Sequence, residues 1–332
     1  MRIVAKLVIV IHTLLFTAVA CDQSSRKVQD SQGFRVALLT PGPISDQSWN
    51  AAAYRGLELI RDSLNAEVRH VQTRTPAEFE ENFRQYGVAG FHLVFGHGFE
   101  FQDAAQRVGP SFPNTVFVTT GGTGTGSNIA AMSFAFDEPS YLAGMEAAAR
   151  SKTGVVACIG GTELPPVRAS FDAFAAGARA VNPSIQILTA YLGNWDDAGA
   201  GKEQALALIA RRADVIFQNA DAAGLGIFQA IREREGVWII GSNADQNGIA
   251  PQSTLGSVVI DVPRAFMLIA REVRDSSFVP RVVRFDTATD VVRWVVNPSV
   301  TPSPIAARVD TVRRAFAERR GPMLPSAQEL RP

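Results

Sequence analysis

From Phe34 onward, short apolar runs alternate with amphipathic stretches. FRVALLT is nearly unbroken in its apolar character, as expected of a strand covered on both faces. Residues 50–64 then place Ala53, Leu57, Ile60 and Leu64 at the spacing of one helical face. The same beat continues through strand AEVRHVQT, a helix opened by Pro76, strand FHLVFGHG, helix FEFQDAAQRV, and strands TVFVTTGG and NIAAMSFAF. A helix over residues 140–150 leads into a second series. Its strands are GVVACIGG, SIQILTAYLG, DVIFQNA and VWIIGSN, with helices over 170–180, 202–211 and 224–234 between them.

Buried strands alternating with amphipathic helices predict α/β architecture with mainly parallel sheets. About five strands precede Glu138 and about five follow it, too many for one doubly wound sheet. The chain therefore divides into two lobes, each a mainly parallel sheet with helices on both faces. Lobe 1 is expected over 34–137 and lobe 2 over 138–260. In the tail, STLGSVVIDV and a helix from Pro263 precede RVVRFDTATDVVRWVV, which has the pattern of a β-hairpin, and then a helix over 305–320. Segments 261–284 and 305–320 are expected to return to lobe 1, and 285–297 to join lobe 2.

Open α/β sheets bind ligands beyond the carboxyl ends of their strands. The segments in those positions are PGPISDQSW, GHGFEF, GGTGTG, GGTELPPVR, GNWDD, NADAAGLG and GSNADQ. They are rich in Gly, Asn, Asp and aromatics, and two facing lobes would gather them into one cleft.

Several chemistries are missing from the sequence. It has no His-x-Glu with Pro-Cys-x-x-Cys, no His-Glu-x-x-His and no Gly-x-Ser-x-Gly. Its Gly201-Lys202 is followed by Glu203, so a phosphate loop is absent. GGTGTG precedes a strand, which makes it a turn and not a dinucleotide loop. Asp196 and Asp197 are adjacent and point apart in any regular element, a poor acid–base pair. His97 follows a strand and is the one histidine placed to reach the cleft. Formal charge is zero, with 32 basic and 32 acidic residues, so no basic footprint for nucleic acid is present.

The N-terminal MRIVAKLVIVIHTLLFTAVAC has Arg2 and Lys6 before an apolar run shorter than the about 20 residues of a membrane span. Residues 1–20 read as an export signal. The ending AVAC resembles a bacterial lipobox, with Cys21 as the lipidated residue and membrane anchor. Residues 21–33 lack apolar periodicity and read as a tether. Removing the leader takes away Arg2 and Lys6 and no acid, leaving a slightly acidic chain. Cys158 is then the body's sole cysteine, a small buried residue in a strand.

The body resembles the basic membrane protein family of ABC-transporter substrate-binding lipoproteins, the purine-nucleoside-binding kind. The likeness runs from Phe34 to Val296. It is carried by Asp46-Gln47-Ser48-Trp49-Asn50 with Gly56, by FDEPSYLAGMEAA, by YLGNWDD with GKEQALALIARRADVIF, and by AAGLG and GSNADQ. The resemblance implies a two-lobed type I periplasmic-binding fold, a purine nucleoside or nucleobase as ligand, an ABC permease of the inner membrane as partner, a monomer, and no cofactor, metal or catalytic residue.

In the family, two aromatics sandwich the purine, and the matching positions here are Trp49 and Trp195. Base–aromatic stacking is worth roughly 1–3 kcal/mol per base. Asp46, Ser48 and Asn50 all suit a purine edge by their acceptors and donors and are candidate ligand contacts, with Ser48 also expected to cap the helix. Phe99, Asp196, Asn219, Gly224, Asn243 and Asp245 complete the candidate ligand set. Two residues depart from the family pattern: Asn243 stands where an Asp grips ribose, and Ile260 where a Lys holds the sugar. A ligand without the sugar is therefore a serious variant. Two other classes compete with the importer: a sensory binding lipoprotein with the same cleft, and a nucleoside hydrolase using Asp46 or Asp196 with His97.

Overall fold

The computed structural model describes residues 33–320. The leader, the lipidation site at Cys21 and nearly all of the tether expected from the sequence lie outside these residues. Lobe 1 begins with β1 (Arg35–Thr40), α1 (Trp49–Leu64), β2 (Glu67–Gln72), α2 (Pro76–Val88), β3 (Leu93–Gly96), α3 (Gln102–Val108), β4 (Val116–Thr120) and β5 (Ile129–Phe134). Lobe 2 follows with α4 (Asp137–Arg150), β6 (Val155–Gly160), α5 (Pro165–Val181), β7 (Gln186–Tyr191), α6 (Ala198–Ala210), β8 (Val215–Asn219), α7 (Gly224–Arg232), β9 (Trp238–Asn243) and β10 (Thr254–Ile260). The tail adds α8 (Val262–Arg274), β11 (Val282–Phe285), β12 (Val292–Val296) and α9 (Ala306–Ala317).

Two six-stranded sheets result, ordered β11-β5-β4-β3-β1-β2 and β12-β10-β9-β8-β6-β7. Every pairing in the first is parallel, and in the second only β12 runs antiparallel, along β10. Burial follows position. The central strands β3, β6 and β8 are buried at every residue, whereas the edge strands β2 and β7 are partly exposed. That gradient explains why the central strands read as continuous apolar runs. This is the two-lobed type I fold.

The expected hairpin does not form. β11 joins β5 of the first sheet and β12 joins β10 of the second, so DTATD is a crossing and not a hairpin turn. Asp286 and Thr289 make a reciprocal capping box there, and Asp290 adopts φ 57°. Local alternation fixes strand character but not the partner sheet, which is why the sequence pattern suggested a pair.

α8 returns to lobe 1 and packs on α1, where Gly56 lets Phe266 and Pro263 come close. α9 instead lies on α4 of lobe 2, with Phe316 edge-on to Tyr141 at 6.0 Å. Arg308 of α9 also donates to the carbonyl of Ala180 in α5. This departs from the expected return of residues 305–320 to lobe 1. The helix has few buried positions, Val309 and Phe316, and α4 supplies the apolar cover they need. α4 and α5 are pressed together at Gly144 and Gly177, each against a backbone carbonyl of the other helix. Cys158 is a buried thiol in β6, pushed up in pKa by burial.

Candidate functional site

The carboxyl ends of β1, β3 and β4 face those of β6, β8 and β9 across a cavity of about 170 Å³. Its first wall is Trp49, which opens α1. The loop before it folds around Asp46. That carboxylate accepts from the N–H groups of Ser48 and Ala51 at 2.9 Å and of Asn50 at 2.8 Å, and from the Asn50 amide at 2.8 Å. Asp46, not Ser48, therefore caps the helix, as its chemistry and the positive end of the helix favour.

Trp49 is fixed as a platform. Its ring stacks on His97, and its indole N–H donates to the His97 carbonyl at 3.3 Å. His97 answers through Nε2, 3.1 Å from the Trp49 carbonyl, while Nδ1 lies 3.2 Å from Thr120 Oγ1. A carbonyl only accepts, so Nε2 carries the proton and Nδ1 accepts from the threonine. Burial holds the imidazole neutral and lowers its pKa to about 3.

Trp195 lines the cavity from lobe 2. Asn194 makes the loop that presents it, its Oδ1 accepting from the N–H groups of Asp196 and Asp197 at 3.2 and 2.9 Å. The indole lies so close over Gly161 that a Cβ there would enter its ring.

Asn219, Asp221 and Asn243 add a polar side to the cavity. Asp221 and Asn243 adopt left-handed backbone, with φ 48° and 65°. Such conformations in residues other than Gly gather at functional sites. The Asn243 amide donates to Asn219 Oδ1 and Asp221 Oδ1 at 3.2 Å and to Ser48 Oγ at 3.4 Å. Ser48 Oγ in turn reaches Asp221 Oδ1 and the Ser242 carbonyl, both at 3.2 Å. Gln246 donates to the Gln47 carbonyl at 3.1 Å. These bonds tie the start of α1 in lobe 1 directly to lobe 2.

Three carboxyl groups line the cavity, and burial favours the neutral form of each. Burial, and next the neighbouring Asp46 carboxylate, push Asp221 well above the usual carboxylate range. Burial likewise raises Glu100. It raises Asp137 too, partly offset by that residue's own backbone N–H and by Arg284. Arg284 is exposed and also lines the cavity.

Of the sequence-derived candidates, Trp49, Phe99, Trp195, Asn219 and Asn243 line the cavity together, as does Ile260. Asp46, Ser48 and Asn50 are buried beneath it, engaged in the cap and the interlobe bonds. Asn50 thus spends its amide on Asp46, and Ser48 Oγ bonds Asp221 and the Ser242 carbonyl instead of making the expected cap. Asp196 and Asp245 are exposed away from the cavity, and Gly224 packs on the Gln218 side chain. His97 lies behind Trp49 with both ring nitrogens occupied, and both oxygens of Asp46 are used, so the considered hydrolytic couple is committed to other bonds. The sequence reading missed Glu100, Asp137 and Asp221. Glu100 and Asp221 lie in cleft loops that it singled out, and a carboxylate within a few residues of the end of a buried strand was the available signal.

Comparison with known proteins agrees with this geometry. A family model described as ABC transporter substrate-binding protein PnrA-like matches residues 34–316. The chain is 27% identical over 279 residues to the ABC transporter nucleoside-binding protein BmpA of Lactococcus lactis, covering 77% of this chain and 80% of that protein. It is 27% identical over 270 residues to transcriptional activator protein med of Bacillus subtilis, covering 81% and 83%. A solute-binding protein of an ABC transporter system from Aeropyrum pernix superposes with a TM-score of 0.75 at 20% identity, covering 89% of this chain and 83% of that one. Two facing α/β lobes, a cavity lined by strand-end loops of both, and a match across nearly the whole body lead to one assignment: the chain belongs to the PnrA-like family of ABC transporter substrate-binding proteins.

Proposed function

We propose that this protein captures a purine nucleoside or nucleobase between its lobes and delivers it to an ABC permease, held at the membrane by a lipid on Cys21. One observation carries the reading: Trp49, stacked on His97, and Trp195 of the opposite lobe line one cavity. Two indole faces suit a flat heteroaromatic ring, and amides at Asn219 and Asn243 suit a polar edge. The cavity, about 170 Å³, is smaller than the roughly 300–1,000 Å³ of drug-sized pockets. Together with apolar Ile260 at the position where the family carries a sugar-binding Lys, this size favours the base over the nucleoside.

Calorimetry of refolded, ligand-stripped protein with adenosine, guanosine, inosine and their bases tests the reading. Binding of at least one purine is expected, and no binding to any of them refutes it. Turnover of a bound nucleoside would place the protein among enzymes instead. The relative named as a transcriptional activator supports a second reading, a sensory receptor with the same cleft. Purine uptake by cells lacking the protein separates the two, since only the importer reading requires uptake to fall.

A further inference from the structure

The lobes meet at a buried carboxyl. Asp221 opens the turn after β8 in lobe 2, and Ser48 stands just before α1 in lobe 1. The two residues are 4% and 0% exposed, and Ser48 Oγ lies 3.2 Å from Asp221 Oδ1. The chain crosses between the lobes after β5, after β10 and after β11, and lobes joined by such short crossings open as hinged bodies. Opening takes Ser48 off Asp221 and admits water to the carboxyl.

The seam is short of protons unless Asp221 supplies one. Ser48 has a single hydroxyl proton but two neighbours at 3.2 Å, Asp221 Oδ1 and the Ser242 carbonyl. Both of these only accept if Asp221 is ionised. The Asn243 amide faces Asn219 Oδ1, Asp221 Oδ1 and Ser48 Oγ. Three protons, one from Ser48 and two from Asn243, thus serve five contacts. A proton on Asp221 Oδ1 completes the chain. Asp221 then donates to Ser48, Ser48 to the Ser242 carbonyl, and Asn243 to Asn219 and Asp221.

The surroundings favour the same state. Asp46 of lobe 1 accepts from the Ser48 N–H at 2.9 Å, so shutting the lobes sets two carboxyls about one serine. Glu100 of lobe 1 lines the same cavity and is pushed toward its neutral form by burial. Arg284 lines it too, and acts on Asp137. His97 is neutral behind Trp49. α6 and α7 pack on the turn that holds Asp221 but bring no counter-charge: Lys202 pairs with Glu233, and Glu203 and Arg232 are exposed. Asp221 caps neither that turn nor α7, so no helix N–H favours its ionised form. Burial, and next Asp46, raise its pKa well above the ordinary 3.8. Water in the open form returns it toward that value.

We propose that shutting the two lobes takes up a proton from solvent on Asp221 and that opening releases it, so that acid favours capture and alkali favours release. The seam consists of protein groups alone, so the coupling holds whichever ligand the cleft takes. The closed form binds the extra proton. Its advantage is therefore complete below the ordinary carboxylate range and is lost as pH rises through the closed-state pKa. Within that window the ratio of closed to open molecules falls by up to about ten-fold per pH unit.

Small-angle scattering of the stripped, unliganded protein from about pH 5 to about pH 9, beside Asp221→Asn, tests the coupling. Asparagine keeps the size of the side chain and a donor for Ser48, cannot ionise, and tolerates the left-handed φ of 48°. The wild type should be compact at the acid end and gain radius of gyration as pH rises, whereas Asp221→Asn should hold one radius throughout. A wild-type radius that does not change with pH, or that shrinks as pH rises, overturns the proposal. So does an Asp221→Asn profile that follows the wild type's, since another group would then carry the proton. Should the variant not fold, the wild-type profile alone decides, with the same two results against the proposal.

Discussion

The indole of Trp49 lies on the imidazole of His97 with ring centroids 3.9 Å apart and planes 22° from parallel. The neutral imidazole backs one face of the indole, and the residue as a whole lines the cavity. Trp49→Ala should weaken ligand binding about ten-fold or more, from stacking worth roughly 1–3 kcal/mol. It should also admit water to His97 and raise its pKa from about 3 toward 6.5. An NMR titration of the His97 ring reads the second effect and calorimetry the first.

His97 also sets a dependence of stability on pH. Its folded pKa, about 3, lies below its unfolded value of 6.5. The unfolded chain therefore takes up a proton that the folded one refuses. The stabilisation is complete above 6.5 and is lost as pH falls toward 3. About 2 kcal/mol should disappear between about pH 7 and pH 5 from this residue alone. Denaturant unfolding at both pH values, compared with His97→Gln, isolates the contribution. The variant is less stable at pH 7 but should lose less on acidification.

Ser48 joins the lobes through Asp221 and the Ser242 carbonyl. Ser48→Ala leaves Asp221 Oδ1 with Asn243 alone and should cost about 1–3 kcal/mol. It should also shift the two lobes toward an open form, which small-angle scattering of the unliganded protein detects as a larger radius of gyration.

Asn243→Asp should harm this protein. The Asn243 amide donates to Asn219 and Asp221, and a carboxylate there donates nothing and faces Asp221. One of the two carboxyls must then keep a proton, so folded pKa values rise and stability falls as pH climbs above the ordinary carboxylate range. Melting curves should show a deficit on the order of 2 kcal/mol at about pH 7 that shrinks at about pH 5.

Gly161→Ala places a Cβ within the Trp195 ring. The backbone at Gly161 is not left-handed, so the effect is steric and local. Affinity should drop about ten-fold while the fold persists, and the fluorescence of Trp195 should shift as the indole is displaced.

The lobes were legible because buried parallel strands leave continuous apolar runs and their helices leave a periodic stripe. VVACIG and LVFG announce central strands, and ALLT with the stripe through Leu57 and Ile60 announces the first βα unit. The crossing at DTATD was not legible, since alternation in RVVRF and VVRWVV does not say which sheet each half joins. In the site, Trp49 and Trp195 stood out as large aromatics directly after strands. The roles of Asp46, Ser48 and Asn50 did not, because capping and ligand contact use the same residue types and only the third dimension separates them. Asp221 was hidden for a different reason: its partner Ser48 lies 173 residues away.

The central claim is that a purine lies between Trp49 and Trp195. A crystal structure of the stripped protein grown with excess guanosine or guanine measures it most directly. The account predicts the purine ring stacked between the two indoles, with its polar edge toward Asn219 and Asn243. A purine bound elsewhere, or a cavity that stays without purine at saturating concentration, would contradict it.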